Sequence, residues 1–196
     1  GNDREPMRRL LADPPRDVHA MFMEGTLLGD GREPTGPSEA ELGEALARRF
    51  REWPGIVLAT WSSQNLDRTR TLYEAARAAG RTLVLDLYSA TLAQAAGLPG
   101  LPVPGAPGLA VYCRQRERIQ VKEACEFQRT EAVKPWRLFP EDLASLGKDL
   151  VLMTRPSMLR ELERAGVLPG ALAVWSVWAG YLAGPSEARL RADRKS

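Results

Sequence analysis

Residues 55–90 constrain this chain more than any other stretch. They read GIVLATWSSQNLDRTRTLYEAARAAGRTLVLDLYSA. Ile56–Ala59 is a short apolar run of the kind shown by a parallel strand covered on both faces. Trp61-Ser62-Ser63-Gln64-Asn65 then supplies side chains able to cap a helix whose first turn includes Asp67. Leu66, Thr69, Leu72, Tyr73 and Ala76 recur at helical spacing, and Gly80 provides the stop. Thr82–Leu85 closes a βαβ unit, whose crossover is expected to be right-handed.

That unit fixes where a ligand could sit. In open α/β sheets ligands bind outside the carboxyl ends of the strands, where strand ends meet helix N-termini. The Trp61–Arg68 turn is such a place, with hydroxyls, amides and Arg68 near backbone N–H groups. The same residues also read as a capped helix start facing solvent, and the turn alone does not separate the two readings.

The rest of the chain fits around this unit. Residues 1–17 form an N-terminal segment, with a short helix over Met7–Leu11 ended by Asp13-Pro14-Pro15. Gly1-Asn2, without an initiating Met, reads as an engineered start. Residues 18–196 read as one α/β domain. Val18–Met23 is expected as its first strand, ending at Glu24-Gly25-Thr26, and Leu27–Pro37 as a loop. Ser38 and Glu41 form a capping box for a helix over Glu39–Arg51. Beyond the central unit, Leu87–Ala96 is a short helix. Gly97–Gly108 holds four prolines and four glycines, so it is an irregular insertion. Leu109–Phe127, with Arg114, Arg116, Arg118 and Lys122, reads as an exposed helix with a solvated basic face. Trp136–Leu146 reads as a loop and a helix begun by Pro140. Asp149–Met153 and Ala171–Trp175 are further strands, with a helix over Met158–Ala165 between them and a last one over Ser186–Arg194. The expectation is a doubly wound, mostly parallel sheet of about five strands with helices on both faces. Glu24–Thr26, Thr60–Asn65, Asp86–Ser89, Thr154–Ser157 and Ser176–Tyr181 then share one polar rim.

Composition excludes more than it selects. The 196 residues, 44% apolar and 27% charged, suit a soluble globular chain with a sizeable core. The net charge of +2 gives no whole-chain argument for nucleic acid. Lysine occurs only at 122, 134, 148 and 195, but Ala, Gly and Pro are also abundant. Base composition of the gene therefore explains the arginines as well as phosphate binding does. Cys113 and Cys125 stand apart, and His19 is the single histidine, so no HxH or HExxH zinc site exists. Reduced thiols, no membrane span and no signal peptide lead us to expect a cytoplasmic setting without a membrane partner.

Three blocks, DVHAMFMEGTLLG, VLATWSSQNLDRTRTLYEAARAAGRTLVLD and LVLMTRPSMLRELERAG…ALAVWSVWAGYL, resemble in order the β-CASP domain of the metallo-β-lactamase-fold nucleases. That group includes ribonuclease J and the pre-mRNA 3′-end cleavage nuclease. The resemblance spans roughly Val18 to Leu182. It implies a zinc-dependent phosphodiesterase whose β-CASP domain caps a catalytic domain, with RNA or single-stranded nucleic acid running between them. Glu24 matches the family's acidic residue after the first strand, and so takes a supporting catalytic role. Ser63-Gln64-Asn65-Leu66-Asp67-Arg68 matches a substrate-facing turn, although relatives often carry His or Tyr where Asp67 stands.

The HxHxDH metal motif and the later histidine motifs have no counterpart in this chain. The resemblance therefore implies a cap domain excised from its catalytic domain, inactive alone, with zinc held by that missing domain. The candidate substrate-binding residues are Ser62, Ser63, Asn65, Arg68, Arg155 and Ser157, and none is a metal ligand. Two other readings stay open. One is a stand-alone small-molecule or nucleotide-binding module, although neither GxGxxG nor GxxxxGK[ST] follows any expected strand. The other is a homodimerisation module using the apolar run VWSVWAGYL.

Overall fold

The computed structural model of the chain describes residues 5–20 and 36–177. In chain order its elements are α1 (Glu5–Ala12), α2 (Glu39–Glu52), β1 (Val57–Trp61), α3 (Leu66–Ala78), β2 (Thr82–Asp86), α4 (Leu87–Ala96) and β3 (Leu109–Tyr112). Then come α5 (Gln115–Glu123), α6 (Gln128–Glu131), β4 (Arg137–Leu138), α7 (Pro140–Leu146), β5 (Leu150–Met153), α8 (Leu159–Arg164) and β6 (Leu172–Ser176). The strands form one sheet in the order β4-β3-β2-β5-β1-β6, and every pairing is parallel.

Strand alternation divides the core into two layers. Val57, Ala59, Leu83, Leu85, Val111, Val151 and Met153 face one side, packed with α2, α3 and α4 through residues such as Phe50, Leu72 and Leu87. Leu58, Val84, Ala110, Tyr112 and Leu152 face the other, packed with α7 and α8 through Leu143 and Leu162. The sheet is therefore covered on both faces, which is why its strands read as continuous apolar runs. The helix starts follow local chemistry. Ser38 Oγ accepts from Glu41 N at 3.3 Å while Ser38 N donates to Glu41 Oε2 at 2.8 Å, which is the expected capping box. Asn65 Oδ1 caps α3 by accepting from Arg68 N at 3.0 Å.

Several expectations change. Among the described residues the sheet has six strands, and two of them were not anticipated. Leu109–Tyr112 is a fully buried strand rather than the start of an exposed helix, and the helix begins only at Gln115. A short apolar run before a charged one does not show from periodicity whether it is strand or helix. β4, two residues long, pairs Arg137 with Val111 and Leu138 with Tyr112 where a loop was expected. Val18–Ala20, the described part of the expected first strand, has no strand structure and is exposed. The remainder of that strand, with Glu24, lies outside the described residues, as do Trp178–Tyr181 and the expected helix over Ser186–Arg194.

The connections position the site. From β2 the chain passes through α4 to β3, moving away from β5. From β5 it passes through α8, on the opposite face, over β1 to β6. Connections leaving two adjacent strands in opposite directions open a crevice above their carboxyl ends. That switch point lies between β2 and β5.

Candidate functional site

The crevice is filled by the protein's own charges. Asp86, the last residue of β2, has no exposed surface. Its Oδ1 accepts from Ser89 N at 2.7 Å and so caps α4. Its Oδ2 accepts from Arg155 Nε at 2.5 Å, two residues beyond β5. Arg114, two residues beyond β3, brings Nη2 to 3.5 Å from the same oxygen. Burial alone would raise the Asp86 carboxyl, but the Arg155 bond and charge, with the Ser89 contacts, hold it below the ordinary carboxylate range.

The network continues toward β1. Arg155 Nη2 donates to Ser63 Oγ at 2.5 Å and to Ser89 Oγ at 3.3 Å, and the two hydroxyls lie 2.8 Å apart. On the other side Arg114 Nη2 donates to Glu117 Oε1 at 2.9 Å, and Glu117 also accepts from Arg114 N and Tyr88 N. Burial tends to lower the Arg114 guanidinium, but Glu117 and Asp86 outweigh it and hold the group above its usual value. Turns from four strands are thus tied together by one carboxylate and two guanidinium groups.

The candidate residues do not come together in one place. Ser63 and Arg155 meet directly in this network. Arg68 stands apart: its Nη2 donates to Glu39 Oε1 at 2.8 Å, and its Nη1 donates to Ser176 Oγ. The Arg68 bond, opposed by partial burial and aided by Thr71, holds Glu39 below its usual range. Arg68 therefore joins α3 to α2 and β6, its charge already matched. Ser62 is exposed, and Asn65 is spent on the cap. Ser157 is exposed and lines a groove described next.

That groove, about 550 Å³, runs between α5 and the start of α8. Arg114, Arg116, Arg160 and Arg164 line it, with Glu123 and Glu161 as the opposing charges. Glu161 is already engaged, accepting from Tyr112 Oη at 2.7 Å and Gln115 N at 3.1 Å. Burial and the Glu161 contact push the Tyr112 phenol well above its ordinary value. A second groove of about 480 Å³ shares Gln115, Glu161 and Arg164 with the first.

Sequence reasoning placed Asp86–Ser89 on the rim but missed Asp86 as its hub, and missed Arg160 and Arg164 altogether. The available signal was an Asp closing an apolar strand with Ser three residues later, an N-cap pattern.

The groups gathered at the crevice are a carboxylate, two guanidinium groups and two hydroxyls. Ser63 Oγ is bonded to Arg155 and Ser89, neither of which can take its proton at neutral pH. Among the described residues no three His, Cys, Asp or Glu side chains gather to hold a metal. No protein-family model matches the chain, and no curated protein matches it. No described helix is long and apolar enough to cross a membrane.

Proposed function

We propose that this domain is the nucleic-acid-binding cap of a zinc-dependent hydrolase of the metallo-β-lactamase/β-CASP type, acting on RNA or another single strand. The metal and the bond-breaking chemistry belong to a partner catalytic domain. In that role Glu24 assists the catalytic domain, and the carboxyl edge of the sheet carries the strand.

One observation supports this reading above the others. On a chain of net charge +2, arginines collect at the carboxyl edge beside the switch point, two inside the crevice and three exposed in the adjoining groove. A pocket for a small apolar ligand is lined mainly by hydrophobic and aromatic groups. An arginine-rich open groove suits phosphates instead.

The test is fluorescence anisotropy with a labelled single-stranded RNA across a salt series. The expected Kd is about 10⁻⁴ M or weaker at physiological salt, tightening steeply as salt falls because phosphate contacts release counterions. Salt-independent binding, or none at the lowest salt, overturns the reading. The hydrolase part has its own check. The neighbouring coding sequence is expected to carry HxHxDH, and a gene lacking it rejects that part.

A further inference from the structure

The geometry points to the groove between α5 and α8, rather than the Asn65–Arg68 turn, as the track for the phosphate backbone of a single-stranded nucleic acid. This rests on the function proposed above and specifies where on the domain it acts.

The argument is one of which cations can change partner. Arg68 is bonded to Glu39 through two nitrogens and to Ser176 through a third. Arg155 is bound to a fully buried carboxylate at 2.5 Å. A phosphate approaching either must displace a carboxylate that is already in place. Arg116, Arg160 and Arg164 are exposed and make no ion pair with another described residue. Arg116 sits on the first turn of α5. Arg160 and Arg164 are four residues apart on α8, so they project from one face a single helical turn apart. Two walls thus present guanidinium groups across an open trough that Ser157 also lines.

The trough selects by charge and offers little to a base. Among the described residues Ile119 is its one large exposed apolar side chain, and no aromatic ring lines it. The described walls therefore offer no ring for stacking, which supplies the base-dependent part of single-strand binding. Phosphate contacts position a strand without reading its sequence. Binding should accordingly be indifferent to sequence and dependent on length, since a longer strand meets more of the arginines.

The experiment measures anisotropy of a labelled 12-nucleotide RNA against the full chain over a salt series, with variants R116A/R160A/R164A and R68A. A third variant, R48A/R49A/R77A, removes the same charge from α2 and α3. Circular dichroism and thermal melts check that each variant is folded. For single strands the log–log salt slope changes by about 0.7 per phosphate contact. The groove variant is expected to flatten the slope by about 2 and weaken binding at least tenfold at low salt, while the other two stay within twofold of wild type. If the wild type binds but R68A weakens it and the groove variant does not, the groove assignment is wrong and the cap reading stands. Equal losses in the groove and α2/α3 variants also overturn it, by showing a diffuse charge effect. Affinity for adenosine monophosphate equal to that for the 12-mer overturns it in favour of a small-anion pocket. A wild type that binds no nucleic acid removes the function on which the inference rests.

Discussion

Asp86→Asn isolates the charge at the centre of the crevice. Asn keeps the side-chain shape and an oxygen able to accept from Ser89 N, so the α4 cap survives. What disappears is the charge facing Arg155 Nε at 2.5 Å and Arg114 Nη2 at 3.5 Å. Removing one partner of a buried ion pair costs about 3–5 kcal/mol, because the other charge is left uncompensated. Here the Arg155 and Arg114 side chains retain 28% and 14% exposure and can turn toward water, which reduces the loss to about 2–4 kcal/mol. At about 2–4 °C per kcal/mol for a chain of this size, Tm should fall by roughly 4–16 °C. Asp86→Ala, which also removes the cap, should cost about 1 kcal/mol more.

The pH dependence gives a second check. The Asp86 carboxyl titrates below its ordinary value of 3.8 when folded, so its stabilisation is fully present above that value. It is lost as the pH falls through the folded value. Urea unfolding should show a wild type–Asn gap constant from about pH 7 to 5 and narrowing below about pH 4. A gap under about 0.5 kcal/mol at pH 7, or one that does not narrow in acid, refutes the ion-pair account.

Other sites test the packing around this network. A Cβ on Gly55 would stand 2.7 Å from Gly170 O, a backbone atom, so Gly55→Ala should destabilise by about 1–3 kcal/mol in urea unfolding. A neutral result would mean that the two loops separate freely. Arg81, 8% exposed, donates to Gly55 O at 2.8 Å and to Trp53 O at the amino ends of the strands. Arg81→Met should lower stability by about 1–3 kcal/mol, and a stabilised variant would contradict these bonds. Burial raises the Cys113 thiol to about 11, whereas Cys125 is exposed. One thiol per chain should react rapidly with Ellman's reagent and the second only in denaturant, and two fast thiols would place Cys113 at the surface.

The parts of the fold that were legible in the sequence are those specified by local chemistry. The central βαβ unit, the Ser38–Glu41 box, the Pro140 helix start and the irregular proline-rich insertion each rest on residues within a few positions of one another. β3 and β4 rest on partners elsewhere. Leu109–Tyr112 is a strand because it pairs with β2, and Arg137-Leu138 because it extends β3. The same limit applies to the site. Ser63 and Arg155 could be named from their turns, but that they meet on Asp86, 69 positions before Arg155, is a product of strand order. Arg68 looked available for a ligand because Glu39, 29 positions away, is brought to it only when α2 packs on α3.

A crevice at a switch point that is closed by its own ion pairs has a consequence for function. Asp86 holds Arg155 and Arg114 inward, so both contribute little to the rim while they stabilise the fold. Neutralising Asp86 should therefore move stability and anion binding in opposite directions, as when strain at a functional site is relieved. Arg114 keeps its bond to Glu117 at 2.9 Å, but with one carboxylate partner in place of two it has more charge to offer a phosphate in the groove, which it already lines. Asp86→Asn should then bind the 12-nucleotide RNA several-fold more tightly at low salt, with a slope steeper by about 0.7 for each arginine released. The assay is the same anisotropy series, run below the variant's reduced melting temperature and normalised to its folded fraction. Combining Asp86→Asn with Arg114→Ala should cancel the gain if Arg114 supplies it, since coupled neighbours do not add. Unchanged or weaker binding by folded Asp86→Asn would mean that the pair also holds the groove in shape, and that charge release is the wrong account.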